Sequence, residues 1–133
     1  MLERNTPETT IAEDGRIVSN WQLTEDANSV VSIHETVSGD AVSICLDGKL
    51  RSDTTQFLRD ELMLLAVTGA NIQVNCRKLS YMANNCKKAL IEVQQLMDKI
   101  RHGSLFLQEM PREIYAEFKT MGLIGALEVE EAK

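Results

Sequence analysis

Chemically reactive side chains in this sequence do not group into a catalytic or metal site. The three cysteines, Cys45, Cys76 and Cys86, include no CxxC pair. No nucleophile is placed with a base, and Gly48-Lys49 lacks both the earlier glycine and the following Ser or Thr of a phosphate-binding loop. We therefore expect no enzyme activity, no catalytic residues, no metal and no other cofactor.

Residues 74–90 are the stretch best suited to a binding function. They have the pattern of a short buried strand, a loop and the start of an amphipathic helix. We expect the function at the crossing from strand to helix, residues 82–88, which contain no residue typical of a catalyst. Ser80, close in sequence to Cys76 and Cys86, is a candidate for modification, although it also fits ordinary loop chemistry.

The composition is that of one globular domain with a mostly aliphatic core. The chain has 133 residues, of which 44% are hydrophobic, 26% charged and 5% aromatic. Six acidic and two basic residues lie in residues 1–28, so this segment carries −4 of the net charge of −6. Because phosphate binding needs a concentrated basic face, we expect no nucleic-acid partner.

The sequence also predicts a cellular location. It has no apolar leader region, and no apolar run approaches the roughly 18 residues of a membrane span. The odd number of cysteines, with Cys45 and Cys76 in strand-like runs, favours buried or partly buried reduced thiols. We therefore expect a cytoplasmic protein with no direct membrane insertion.

Residues 1–28 form an acidic, polar N-terminal segment that we expect to be partly disordered. Within this segment, Ile17, Val18, Trp21 and Leu23 are able to form a short strand or a flap that lies on the body of the protein. We predict that the folded domain spans residues 29–133.

Alternating and helical patterns follow one another in the rest of the chain. Two alternating runs around a turn at residues 38–40 predict a β-hairpin. A helix, a strand, a helix, a strand, a helix and a last short strand follow. Strands alternating with helices imply right-handed crossovers. The predicted fold class is α/β, with a mixed, mostly parallel sheet of about four to five strands and helices packed against it.

The first two helices have favourable capping residues near their starts. Ser52, Asp53 or Thr54 is suited to cap the first helix, because its side-chain oxygen can accept a backbone N–H bond. Asn84 or Asn85 is suited to cap the second helix in the same way. We therefore expect the first helix to follow a loop at residues 47–55 and to run to about Val67, and the second helix to begin near Asn84 or Asn85.

Short apolar and glycine motifs occur in a characteristic order over about residues 30–130. They are Leu46-x-Gly48-x-Leu50, Thr54-x-x-Phe57-Leu58, Gly69-x-x-Ile72-x-Val74-x-Cys76-x-x-Leu79-x-Tyr81-Met82 and Gly103-x-Leu105-x-Leu107. Their combination resembles the STAS domain, the sulfate-transporter and anti-sigma factor antagonist family. The resemblance implies the STAS, or anti-anti-sigma factor, fold.

The resemblance also implies a phosphorylation site in the loop after the third strand of the family. The family usually has Asp-Ser-Ser-Gly-Leu there, and a partner kinase that is also an anti-sigma factor phosphorylates the second serine. In this sequence the five positions are Ala83-Asn84-Asn85-Cys86-Lys87. Asn85 matches the phosphoacceptor position and is not phosphorylatable, because it has no hydroxyl group. The loop would remain a binding surface.

Two lysines lie in the first turn of the predicted second helix. Positive charge there interacts unfavourably with the helix dipole, which costs the helix some tenths of a kcal/mol of stability. One interpretation of Lys87 and Lys88 is a solvated pair that the helix tolerates. The other is a basic patch that meets an acidic partner or an anion.

The resemblance implies a non-enzymatic, bacterial regulatory module that acts by partner switching in signal transduction and transcription regulation. The expected partner is an anti-sigma factor or a related regulatory kinase, and a homodimer is also compatible with the sequence. The alternative is a structural or accessory STAS subunit of a larger sensory or transport-associated assembly. The expected partner-binding residues are Arg51, Ser52, Asp53, Thr54, Met82, Ala83, Asn84, Asn85, Cys86, Lys87 and Lys88.

Overall fold

The computed structural model describes residues 3–4, 8–11, 15–26 and 29–132. The strands are β1 (Glu3–Arg4), β2 (Glu8–Ile11), β3 (Ile17–Asp26), β4 (Ser29–Ser38), β5 (Ala41–Leu50), β6 (Asn71–Met82), β7 (Ser104–Met110) and β8 (Glu128–Glu131). The helices are α1 (Ser52–Val67), α2 (Asn84–Ile100) and α3 (Arg112–Thr120). The predicted order from the hairpin β4–β5 to the last short strand is confirmed.

All the named strands belong to one sheet. Its order is β1-β3-β4-β5-β6-β7-β8, and β2 also pairs with β3. The pairs from β1 to β5 are antiparallel, and those from β5 to β8 are parallel. The α/β class and the mixed sheet are confirmed. The expectation of four to five mostly parallel strands was wrong. Seven strands follow one another in the sheet, and β2 pairs with β3 outside this order. All the strand pairs from β1 to β5 are antiparallel.

The additional strands come from residues 1–28. β3 pairs with β4 along its length, so Ile17 and Trp21 form a strand, one of the two expected alternatives, and this strand is longer than expected. Trp21 is buried, and its ring meets that of Phe57 edge-on with the ring centres 5.8 Å apart. The polar composition concealed the length of this strand, because an antiparallel strand with one solvated face buries only alternate side chains. The domain boundary at residue 28 stays a prediction.

The sheet has one buried face and one exposed face. On β5, Val42, Ile44 and Leu46 are buried, while Ser43 and Cys45 between them are exposed. Buried residues of α1, α2 and α3 belong to the same core as the buried strand residues. The helices therefore lie on one side, and we call the other side the open sheet face. No helix in the described part of the chain has both the length and the apolar character needed to cross a membrane.

The connection from α2 to β7 depends on a glycine. Arg101 ends α2 in the left-handed conformation, with φ of 55°, and its N–H donates to Met97 O at 2.8 Å. Gly103 has φ of 78°, and a Cβ atom there would lie 2.3 Å from Ala70 O. Only glycine therefore permits β7 to begin this close to the start of β6.

An acidic side chain interrupts the buried face of the sheet. Glu35 lies on β4 between Ile33 and Val37 and is only 5% exposed. The pKa of Glu35 is raised to about 8, and burial is the largest cause. Repulsion from Glu61 of α1 and a hydrogen bond with Glu61 also raise it. The Oε1 atom of Glu35 has no hydrogen-bond partner among the described residues. The proton that Glu35 keeps in the folded protein is therefore linked to stability.

We expect Glu35 to make the protein less stable as the pH rises. Its folded-state pKa lies above the ordinary carboxyl value of 4.5, so its stabilisation is complete below 4.5 and is lost as the pH rises through about 8. Within that window the loss from this group approaches about 1.4 kcal/mol per pH unit. Glu35→Gln keeps a donor for Glu61 and removes the titration. Urea unfolding across this window should show a smaller decline in the variant; equal declines would contradict the assignment.

Candidate functional site

Two loops meet at the edge of the sheet where β5 and β6 end. The two strands are parallel, and Leu50 at the end of β5 is in register with Met82 at the end of β6. The Ala83 N–H donates to Leu50 O at 2.8 Å. Because α1 and α2 begin directly after these strands, their N-termini lie side by side. We call this region, residues 51–54 and 82–88, the loop edge.

Neither helix at the loop edge begins at a side-chain cap, so the predicted cap positions were wrong. Arg51 occupies the N-cap of α1 and Ala83 that of α2. The Thr54 hydroxyl donates to Arg51 O at 2.9 Å, so it serves a carbonyl and not an amide. Asn84 accepts a hydrogen bond from Lys87 instead of capping α2. The first amide N–H groups of both helices thus receive no side-chain acceptor from their N-cap residues.

Lys87 differs most from the expectation at the loop edge, because its side chain is fully buried, with 0% exposed. The ammonium donates to Met82 O at 2.9 Å and to Asn84 Oδ1 at 3.2 Å. It also pairs with Glu117 Oε2 at 3.2 Å and lies 5.9 Å from the centre of the Phe118 ring. Both interpretations of Lys87, a solvated lysine and an exposed basic patch, were therefore wrong.

The burial of Lys87 follows from its position in α2. It precedes Leu90 by three residues and so falls on the buried stripe of the helix. Glu117 of α3 is half exposed and supplies the opposite charge. Because an ammonium group is costly to remove from water without acceptors, these contacts determine how the end of β6 and α3 are placed around α2. The spacing to Leu90 was a signal in the sequence, whereas the acceptor on α3 was not.

Burial divides the expected partner-binding residues into two groups. The side chains of Ser52, Asn84, Asn85 and Lys88 are exposed, and that of Arg51 is partly exposed. The side chains of the others are buried and not available to a partner in this fold; they are Thr54, Met82, Ala83, Cys86 and Lys87. Asp53 lies in the first turn of α1, and the prediction for its side chain falls outside the described part of the chain.

The exposed asparagines border two shallow hollows. Asn85 borders one of about 430 Å³ between α1 and α2, where Arg59 Nε and Glu92 Oε2 form an ion pair of 2.6 Å. Asn84 borders another of about 310 Å³ against α3, beside Glu117. A partner that contacts both asparagines therefore meets a concave surface on either side of the N-terminus of α2.

The thiols beneath the loop edge are protonated. Burial raises the pKa of Cys86 to about 11, although a hydrogen bond with Thr55 and the charge of Lys87 act to lower it. Burial, with Cys86 and Cys45 nearby, raises the pKa of Cys76 to about 12. Since the thiolate is the nucleophile, both groups are unreactive. The expectation of buried reduced thiols is confirmed for Cys76 and Cys86, whereas Cys45 is exposed.

The other candidate groups for chemistry are also dispersed. Ser80 is exposed on β6, and its hydroxyl donates to Gly48 O at 3.3 Å. Within the ranges that the structure describes, no three His, Cys, Asp or Glu side chains converge in a way that could hold a metal ion. The loop edge offers hydrogen-bonding groups and concave surface, which suit the recognition of another protein.

Replacing the buried lysine should destabilise the protein, whereas replacing its exposed neighbour should not. Lys87→Met keeps the length of the side chain but leaves Met82 O and Glu117 without their donor, so we expect a loss of about 1–3 kcal/mol. Lys88→Met changes an exposed side chain and should stay within about 0.5 kcal/mol of the parent. The measurement is urea unfolding of both variants. Equal stability of the two variants would show that the ammonium contacts do not stabilise the fold.

Comparison with known proteins identifies the fold. No family profile and no curated protein matches the sequence. The anti-sigma factor antagonist SpoIIAA in its unphosphorylated form is similar in structure, with a TM-score of 0.60, 19% identity and coverage of 71% of this chain and 83% of that chain. The Bacillus cell fate determinant SpoIIAA in its phosphorylated form gives a TM-score of 0.56, 19% identity and coverage of 71% and 86%.

A more distant sequence gives the same result. A proposed anti-sigma factor antagonist from Thermotoga maritima matches with a TM-score of 0.63 at 7% identity, over 71% of this chain and 82% of that chain. The resemblance was predicted from the order of short apolar and glycine motifs over about residues 30–130. The three helices and the mixed sheet agree with the fold that it implied. This chain therefore has the STAS fold of the anti-sigma factor antagonists.

Proposed function

We propose that this chain is a non-enzymatic regulatory module that binds an anti-sigma factor or a related regulatory kinase at the loop edge. The observation that supports this most is the pairing of β5 with β6, which brings two helix N-termini to one place. Exposed Ser52, Asn84 and Asn85 surround them. Amide N–H groups at helix N-termini favour acceptor groups from a partner, and Lys88 adds an exposed positive charge.

The proposed module would bind without phosphorylation control at position 85. The two SpoIIAA structures represent an unphosphorylated and a phosphorylated form of that protein. The sequence resemblance implies that Asn85 occupies the phosphoacceptor position in this chain, and its side-chain amide offers no hydroxyl to a kinase. Control of binding would then act elsewhere or be absent. Because such partners regulate transcription in bacteria, we propose a cytoplasmic location.

A negative charge at position 85 should weaken partner binding. Asn85→Asp imitates the charge that a phosphate would bring, and we expect the Kd to rise about tenfold or more, which corresponds to about 1.4 kcal/mol. The substitution should not destabilise the fold, because an acidic side chain in the first turn of a helix favours the dipole. Pull-down and titration with regulatory proteins of the same cell measure the effect.

The matched control for this variant is Gln95→Glu, which adds the same charge to an exposed position farther along α2. It should leave the Kd within about twofold of the parent, since a screened charge beyond a Debye length has little effect. An unchanged Kd for Asn85→Asp, or an equal rise in both variants, would remove the loop edge from the partner interface.

A second candidate function is that of a structural or accessory subunit in a larger sensory or transport-associated assembly. An apolar patch on the outer side of α1 favours it, because Leu64 is 63% and Val67 is 62% exposed beside the partly buried Met63. Exposed apolar side chains that lie together are typical of protein contacts. This patch lies apart from the loop edge, toward the other end of α1, and so would allow contacts with two proteins or a homodimer.

Size-exclusion chromatography of native extract separates the two candidates. The regulatory module should elute as a small complex with its partner, whereas the accessory subunit should co-elute with a large assembly. Leu64→Gln with Val67→Gln should release the chain from the assembly under the second candidate function and should leave the small complex unchanged under the first. Elution with a large assembly that survives the double substitution would exclude the apolar patch as its contact.

A further inference from the structure

The open sheet face carries a row of polar side chains across five strands. Asn20, His34, Cys45, Asn75 and Gln108 are successive register partners on β3, β4, β5, β6 and β7. His34 Nδ1 and Asn20 Oδ1 are hydrogen-bonded. A hollow of about 350 Å³ lies over the middle of this row. It is on the side of the sheet opposite the helices, so it is separate from the loop edge.

An irregularity in β6 places two basic residues in the wall of this hollow. The register with β5 passes from Cys45–Asn75 to Asp47–Lys78, so β6 has one residue more than β5 at this point. Arg77 and Lys78 are therefore both exposed, and both line the hollow. Neither side chain forms an ion pair within the described part of the chain. Two neighbouring cations are thus available to an anionic group.

β7 is irregular beside the same hollow. Glu109 has a left-handed φ of 50°, and the register of β7 with β8 shifts around it. Such a conformation costs a residue other than glycine on the order of 1 kcal/mol. Glu109 Oε2 accepts a hydrogen bond of 2.6 Å from Asn75 Nδ2, and Asn75 Oδ1 accepts one of 3.0 Å from the Arg77 N–H. These contacts fix the polar wall before any ligand binds, which lowers the cost of binding.

We propose that this hollow binds a small phosphorylated sugar. Arg77 and Lys78 would hold the phosphate through charge-assisted hydrogen bonds. Asp47 and Glu109 would accept hydrogen bonds from sugar hydroxyls, and Ser32 is placed to donate one. The volume of about 350 Å³ is suited to a small molecule. The ring among the lining residues is the imidazole of His34, which is hydrogen-bonded to Asn20, and no Phe, Tyr or Trp in the lining offers a nucleotide base a larger stacking surface, which favours a sugar over a nucleotide.

The rate at which Cys45 is alkylated measures whether the hollow is occupied by a ligand. Cys45 is exposed and lines the hollow, whereas Cys76 and Cys86 are buried. Alkylation of the folded protein by iodoacetamide is followed by intact mass with and without glucose 6-phosphate. With a Kd of about 1 mM, about 10 mM ligand leaves roughly one site in eleven free, so alkylation should slow about tenfold. Cys76 and Cys86 should stay unmodified, which shows that the fold is intact throughout.

Further ligands and variants distinguish a phosphosugar site from general ion binding. Glucose should not protect Cys45, and inorganic phosphate at equal ionic strength should protect it less than glucose 6-phosphate. Arg77→Gln with Lys78→Gln should abolish protection, whereas Lys88→Gln with Lys99→Gln, exposed cations on α2, should keep it. Asp47→Asn should reduce protection by glucose 6-phosphate to that by phosphate.

Two results would show that the hollow is not the anion-binding site. One is a slowing of Cys45 alkylation by less than about twofold at about 10 mM glucose 6-phosphate, which would mean a Kd above about 10 mM. The other is protection that persists in the Arg77→Gln, Lys78→Gln variant. Equal protection by inorganic phosphate and by glucose 6-phosphate would reject the sugar as the recognised group.

Discussion

The buried ammonium group of Lys87 constrains the loop edge, because a charge removed from water is stable only where acceptors surround it. Its acceptors come from three elements: Met82 O at the end of β6, Asn84 Oδ1 at the start of α2 and Glu117 Oε2 on α3. These contacts therefore hold the turn between β6 and α2 in one arrangement relative to α2 and α3. Asn85 remains exposed at the outer side of this arrangement.

The parallel ladder between β5 and β6 organises the rest of the molecule around that turn. It brings the starts of α1 and α2 together at one edge, and the buried parts of both helices then cover one face of the sheet. The opposite face stays free, and bulges in β6 and β7 shape the polar hollow there. The protein thus has two chemically different surfaces, one proposed to bind a protein partner and the other proposed to bind a small anion.

Periodicity predicted most of the fold, because apolar spacing is a strong signal in the segment from β4 to β8. It underestimated the length of β3, where polar residues alternate with Trp21 on a strand that buries one face only. At the loop edge, the position of the turn between β6 and α2 was predictable, but which of its polar side chains are buried was not. Lys87 was expected at the surface because lysine usually is, and only the three-dimensional placement of Glu117 makes its burial possible. The prediction that Asn84 caps α2 was wrong for a related reason, because its side-chain oxygen accepts a hydrogen bond from Lys87 instead of from a backbone amide.

We propose that the loop edge, and not the open sheet face, is the surface that binds a regulatory protein. Photo-crosslinking in the native cell tests it most directly, with a photoreactive amino acid replacing either Asn85 at the loop edge or Gln73 on the open sheet face. We expect a covalent product between position 85 and an anti-sigma factor or regulatory kinase, identified by mass spectrometry, and none from position 73. The same product from position 73 alone would contradict it.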